Sequence, residues 1–274
     1  MMYFQKTFTL DKLLARLEGS SVKYFIKNES DWTEANSFIG KKLVIEFTGK
    51  FQCLDCRKYV KKFYTQGLCY TCMMTSALNS VCILRPELCE AHLGKGKVPE
   101  WEETHHNQPH IVYLANSGDA LKVGVTRNDQ IPTRWIDQGA DSVIILAQTP
   151  YRQLAGEIEV AMKDFLSDKT NWRAMLRNSN DRSLDLLAEK NKYADILYGI
   201  KQEYGEYISD DDTNYSLIYP STVIDKSINS VKLDKEPLID GILTGIKGQY
   251  LIFDEKQVFN MRSHGGFEIQ LTVE

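Results

Sequence analysis

No stretch of this sequence approaches the roughly 20 consecutive apolar residues that a helix needs to cross a bilayer, so no helical membrane span is expected. The opening residues, Met1 to Glu18, mix Lys and Arg with Asp and Glu. They lack an unbroken apolar core and a small-residue cleavage site, so a secretory signal is not expected either. Internal repeats and low-complexity tracts are absent. Gly245-Ile246-Lys247-Gly248 and Arg262-Ser263-His264-Gly265-Gly266 have neither the spacing nor the following helix of a phosphate loop, and they read as hairpin turns. No nucleophile elbow surrounds any serine. Cysteine is sparse, 6 in 274 residues, and a chain of this length buries enough core to do without a disulfide framework. A cytoplasmic protein with reduced thiols is expected, and there paired cysteines bind metal more often than they oxidise.

The composition, 43% hydrophobic and 26% charged, is that of an ordinary globular protein. A net charge of -4 does not advertise a nucleic-acid partner. The charges are nonetheless uneven: Lys41, Lys42, Lys50, Arg57, Lys58, Lys61 and Lys62 gather near the first cysteines, and Glu203, Glu206, Asp210, Asp211 and Asp212 lie in the last third. Such a basic patch can dock a phosphate backbone on an acidic protein, and it reads equally as a solvated surface.

Cys53-Leu54-Asp55-Cys56 and Cys69-Tyr70-Thr71-Cys72 form two CxxC pairs separated by twelve residues. A two-residue gap lets both thiolates of a pair reach one tetrahedral ion, and a second pair completes the shell. Neither pair sits in the strand–CxxC–helix setting of a redox site. One structural Zn²⁺ on Cys53, Cys56, Cys69 and Cys72 is therefore expected. Cys82, Cys89, His92, His105, His106 and His110 follow without a simple spacing. A second site, if formed, is expected on Cys82, Cys89, His92 and His106, against the bland reading of buried thiols and hydrogen-bonded imidazoles.

Residues 1–50 read as a helix over Leu10–Leu17 followed by strands at Val22–Ile26 and Leu43–Phe47. Residues 51–109 are poor in apolar periodicity, so a metal is the expected organiser. From 110 to 180 the pattern becomes strand (Ile111–Ala115), turn (Asn116–Asp119), strand (Leu121–Thr126), short helix (Thr133–Gly139), strand (Ser142–Gln148) and helix (Pro150–Ser167). Residues 181–274 read as an amphipathic helix, Ser183–Tyr204, an acidic loop, and five strands forming a small antiparallel sheet. The fold class is α+β: a zinc-knuckle module, a three-stranded antiparallel sheet in ββαβα order, and a C-terminal sheet.

Val112-Tyr113-Leu114, Lys122-Val123-Gly124-Val125-Thr126 and Arg134-Trp135 resemble the GIY-YIG nuclease superfamily, whose element order matches the one just derived. Tyr113 stands at the GIY tyrosine and Lys122-Val123-Gly124 at YIG, so a lysine replaces the second tyrosine. Arg134 falls slightly later than usual, and Glu159 and Asn171 have the separation of that superfamily's Glu and Asn. The paired knuckles, KVGVTR (122–127), RWIDQGA (134–140) and Asp168-Lys169-Thr170-Asn171-Trp172-Arg173 together resemble one bacterial family defined by sequence and of no settled function. That family carries Cys or His where this chain has Glu90, Gly96 and His106, which weighs against the second metal site.

The resemblance implies phosphodiester hydrolysis, with Mg²⁺ or Mn²⁺ on Glu159, Arg134 clamping phosphate and Tyr113 positioning or deprotonating water. Lys122 would contact phosphate in place of the lost tyrosine, and Asn171 would complete the set. Glu157 is the weaker candidate, since it falls toward Asp164 and Asp168 on a solvated face. Three functions stay open: a metal-dependent nuclease with the zinc module as its positioning arm, a non-catalytic binder of nucleic acid or protein, and a metabolic enzyme on the same scaffold. The oligomeric state is not legible.

Overall fold

A computed structural model describes residues 4–28, 31–118, 120–166, 171–177, 184–221, 224 and 227–274. Asp119, Ser167, Asp168, Lys169, Thr170 and Ser183, which figure in the expectations above, lie outside the described residues. The strands are β1 (Phe4–Thr9), β2 (Leu14–Glu18), β3 (Ser21–Asn28), β4 (Asp31–Glu34), β5 (Lys42–Gln52) and β6 (Tyr59–Val60), followed by helix α1 (Tyr70–Thr75). Next come α2 (Pro99–His106), β7 (His110–Ser117), β8 (Ala120–Arg127), α3 (Thr133–Asp137), β9 (Ser142–Thr149) and α4 (Arg152–Met162). The chain ends with α5 (Trp172–Leu176), α6 (Leu186–Ile200), β10 (Tyr215–Ser216), β11 (Asn229–Val231), β12 (Leu238–Lys247), β13 (Tyr250–Phe253), β14 (Gln257–Asn260) and β15 (Phe267–Val273). The α+β class expected from the sequence is observed.

Two compact units are formed, and neither is a continuous stretch. Met1–Met74, Leu176–Asn178 and Ile218–Glu274 make the first, and Thr75–Met175 with Ser179–Leu217 make the second. The boundaries expected at 50, 109 and 180 do not coincide with these, because strands from the two ends of the chain share a sheet. In the first unit the order is β1-β15-β5-β12-β13-β14-β11, with β6 added to β5. The C-terminal strands do pair antiparallel, and they take in strands from the start of the chain: β5 is flanked by β12 and β15, while β11 joins β14 in parallel. Alternation dictates which faces are buried: along β12 the pattern starts exposed–buried–exposed–buried, placing Ile239 and Leu243 inside.

The helix expected over Leu10–Leu17 is also corrected. Leu10 and Leu13 are fully buried in an irregular stretch, and β2 then pairs with β3. Gln249 explains the irregularity, since its side-chain amide donates to the Leu13 carbonyl (3.0 Å) and its oxygen accepts the Leu13 N–H (2.8 Å). Those bonds replace the helical ones that Leu13 would otherwise need.

In the second unit β7, β8 and β9 form the expected antiparallel sheet, and β10 adds a fourth strand in the order β10-β9-β7-β8. Val112, Leu114, Val123, Ile144 and Leu146 face Leu154, Ile158 and Met162 of α4 and Leu186, Tyr193 and Leu197 of α6. Such a cluster is the main stabilising term, at about 25 cal/mol per Å² of apolar surface buried. Asp185 caps α6 by accepting the N–H groups of Leu187 and Ala188, both at 3.1 Å, so the helix starts there. The acidic loop after α6 is built into the unit, because buried Lys190 donates to the Asp211 carbonyl (2.9 Å) and to Asp212 (2.7 Å). No helix of the described residues is long and apolar enough to cross a membrane.

Candidate functional site

Cys53 follows the last residue of β5, and the chain turns back at once. The Cys53 N–H donates to the Lys58 carbonyl (2.9 Å), the Arg57 N–H donates to the Cys53 carbonyl (3.0 Å), and Arg57 is left-handed (φ 59°). The second pair starts from a similar turn and runs into α1, which carries Cys72. The Leu54 N–H donates to the Gly67 carbonyl at 2.9 Å, tying the two turns together. The four sulfurs lie within 4.8 Å of one another, with Cys56 and Cys69 3.9 Å apart. Burial disfavours the Cys53 thiolate, but the N–H groups of Cys69, Cys56 and Asp55 outweigh it and bring Cys53 to about 7. A thiol poised in this way, beside three others, can hold a metal ion such as zinc.

Of the basic residues around these turns, several are already neutralised. Lys42 pairs with Asp240 (3.1 Å) and Glu274 (3.8 Å), Lys50 with Glu268 (3.1 Å), and Arg57 with Asp11 (3.9 Å). Lys58, Lys61 and Lys62 stay exposed. Beside them Tyr64 and Tyr70 are half exposed, with rings meeting edge to face at 5.3 Å and the Lys62 ammonium 4.8 Å over Tyr64.

The second group of ligand types comes together differently from the expectation. Cys82, Cys89, Glu102 and His106 are all buried, with one ligand atom from each within 4.8 Å of the others. His92 is not among them. Its ring is stacked on Tyr151, with centroids 4.5 Å apart, and Glu102 takes its place. The signal for Glu102 was available in the sequence, since residues four apart on a helix share a face, and Glu102 and His106 are four apart on α2.

In the second unit's sheet, Tyr113 of β7 is paired with Gly124 of β8. A methyl group on Gly124 would meet the Tyr113 ring and hydroxyl at 2.7 Å, so glycine is what lets that ring lie flat across β8. The β7–β9 register shifts between Val112 and Tyr113, where Leu146 of β9 is the extra residue, so the bulge lies on the strand beside the tyrosine. Its hydroxyl donates to Gln138 Oε1 at 2.6 Å. Burial pushes Tyr113 up to about 12; the Arg134 guanidinium works against that rise, and the Glu159 and Asp137 carboxylates add to it. Tyr113, Arg134 and Glu159 therefore share one electrostatic neighbourhood, from β7, α3 and α4 respectively. Glu159 is largely buried, and Lys163 lies 3.9 Å from it. Glu157 instead accepts a hydrogen bond from Gln153.

Two expected members stand apart from that group. Asn171 is exposed, and its Oδ1 accepts the N–H groups of Arg173 (3.1 Å) and Ala174 (3.3 Å), so it caps α5. Lys122, opposite Ala115, occupies the same sheet face as Tyr113 and is 7% exposed. Burial lowers Lys122 from 10.5 to about 8, and no carboxylate of the described residues offsets this. Below about pH 8 both folded and unfolded chains carry the proton, and the cost of burying it is felt in full. Between about 8 and 10.5 only the unfolded chain keeps it, so stability rises with pH across that window. Lys122→Met is expected to stabilise the protein at pH 7 by on the order of 1–2 kcal/mol and to flatten that rise. Urea denaturation at pH 7 and pH 10 checks this, and a variant no more stable than wild type at pH 7 contradicts it.

Sequence reasoning passed over Arg152, Asp137 and Gln138. Arg152 opens α4 and donates from Nε and Nη2 to the Cys82 carbonyl (3.1 and 2.8 Å) and from Nη2 to that of Ile83 (3.3 Å). It also lies within electrostatic reach of Glu159, seven residues later on the same helix face.

Fold and site together define an α+β protein with a four-cysteine centre able to hold metal. The chain belongs to the family described as "Protein of unknown function (DUF2797)", whose model matches residues 40–269. No curated protein and no solved structure matches it.

Proposed function

We propose that this protein hydrolyses phosphodiester bonds in nucleic acid at a centre formed by Tyr113, Arg134 and Glu159, with one structural zinc on Cys53, Cys56, Cys69 and Cys72. The observation carrying this reading is the shared electrostatic neighbourhood of those three side chains, contributed by separate elements in the order that the GIY-YIG resemblance implies. The bulge in β9 beside Tyr113 adds support, since bulges are over-represented next to active sites.

Glu159 offers a carboxylate suited to a hard divalent cation that keeps most of its waters. Bound Mg²⁺ or Mn²⁺ would supply charge neutralisation and a more acidic water. Arg134 would grip two phosphate oxygens through its planar fork. Tyr113, buried and held near 12, is too weak an acid to serve as base at neutral pH, so its role is to position Arg134. Lys122, unpaired among the described residues and on the same sheet face, would attract the incoming phosphate.

The test is a panel of labelled single-stranded, branched and duplex DNA and RNA incubated with Mg²⁺ or Mn²⁺. Cleavage that stops with chelator is expected. Intact substrate throughout, from folded and zinc-loaded protein, would sink the reading.

A second reading has its own support. Exposed Tyr64, Tyr70, Lys58, Lys61 and Lys62 combine ring faces with cations, as single-strand binding surfaces do. In that case the protein binds nucleic acid without cutting it, and affinity falls steeply with salt.

A further inference from the structure

We infer that Cys82, Cys89, Glu102 and His106 hold a second zinc ion, separate from the one on the CxxC pairs. Distances carry the inference. His106 Nδ1 lies 3.6 Å from the sulfur of Cys82 and 3.6 Å from that of Cys89. Glu102 Oε2 lies 3.9 Å from the Cys82 sulfur and 3.9 Å from His106 Nδ1. Zinc bonds of about 2.3 Å to sulfur and about 2.0–2.2 Å to nitrogen or oxygen give tetrahedral edges of roughly 3.3–3.8 Å. The four side chains already stand close to those edges.

The two oxygens of Glu102 supply the independent observation. Oε1 is satisfied three times over, accepting from the Ser80 hydroxyl (2.6 Å) and from the N–H groups of Lys97 (3.0 Å) and Val98 (3.4 Å). Oε2 is aimed into the cluster from a residue 2% exposed, and its polar neighbours among the described residues are the sulfur and the imidazole at 3.9 Å. A buried carboxylate oxygen without a metal would draw a donor to about 2.7–3.2 Å. None stands there.

Charge closes the case. Two thiolates and a carboxylate leave a zinc complex at minus one, and the Arg152 cation lies within electrostatic reach of both thiols. The four ligands are buried, as in closed structural sites that keep no open position for substrate. The ion would lock the 80–106 segment together, and protein contacts fasten that segment to α4. Arg152 bonds the Cys82 carbonyl, and a methyl group on Gly156 would meet the Glu87 nitrogen at 2.2 Å, so that segment's backbone is pressed against the helix. The helix so fastened carries Glu159, but the inference does not depend on catalysis.

Mass-spectrometric metal analysis of the full chain is expected to find two zinc ions per chain. Cys82→Ser with Cys89→Ser should leave one, and Cys53→Ser with Cys56→Ser should also leave one. Wild type with a single zinc that the Cys82/Cys89 variant retains overturns the inference. Should that variant fail to fold, zinc-edge anomalous scattering from wild-type crystals decides alone. A peak among Cys82, Cys89, Glu102 and His106 supports the site, and its absence there with a peak at the other four cysteines refutes it.

Discussion

Cys53→Ser combined with Cys69→Ser, which removes one thiolate from each knuckle, is expected to release the structural zinc and unfold residues 53–72. The magnitude follows from how that segment is held. Cys53 and Cys72 are buried, yet the surrounding apolar cluster is small: Leu68, with Leu54 and Cys69 partly buried against it. So few side chains contribute only a few kcal/mol by burial. Structural zinc contributes about 10–16 kcal/mol to the folding of isolated zinc-finger peptides, so on the proposed zinc site a large share of the local stability would come from the ion. Thermal denaturation should show a fall of many degrees, and the wild type treated with a strong chelator should behave like the variant. Equal stability with and without zinc contradicts this.

Glu159→Gln is expected to lower cleavage by about 10²- to 10³-fold, the usual cost of removing one strong electrostatic contact from a transition state. The substitution keeps the shape of a largely buried side chain, so circular dichroism and melting should stay near wild type. Arg134→Lys should fall almost as far, since an ammonium cannot reproduce the two-point grip of a guanidinium. Steady-state kinetics on a labelled oligonucleotide would read both effects. Undiminished cleavage by Glu159→Gln removes the carboxylate from the proposed centre.

What the sequence revealed tracks the distance over which residues act. The CxxC pairs were legible because each knuckle is a local turn, and the sulfurs do lie together. Strands β7, β8 and β9 were legible because short Val- and Ile-rich runs are bounded by turn residues. Leu10, Leu13 and Leu17 imitate helical spacing, and what overrides it is Gln249, a partner 236 residues from Leu13. The C-terminal strands showed their existence but not their neighbours, since β5 lies more than 180 residues before β12 and β15. The shared face of Glu102 and His106 was legible from their spacing on α2, but the aim of the carboxylate was not, since it depends on Ser80 and on the turn at Lys97 and Val98. Asn171 had the right spacing from Glu159, but a side-chain oxygen one residue before a helix is drawn to that helix's free N–H groups.

The central proposal is most directly tested by crystals of the wild-type protein grown with Mn²⁺ and a hydrolysis-resistant phosphorothioate oligonucleotide, read by manganese anomalous scattering. The account predicts manganese on the Glu159 carboxylate, bridged to a phosphate held by Arg134. An oligonucleotide lying across Tyr64, Tyr70 and Lys62, with no manganese at Glu159, would contradict it.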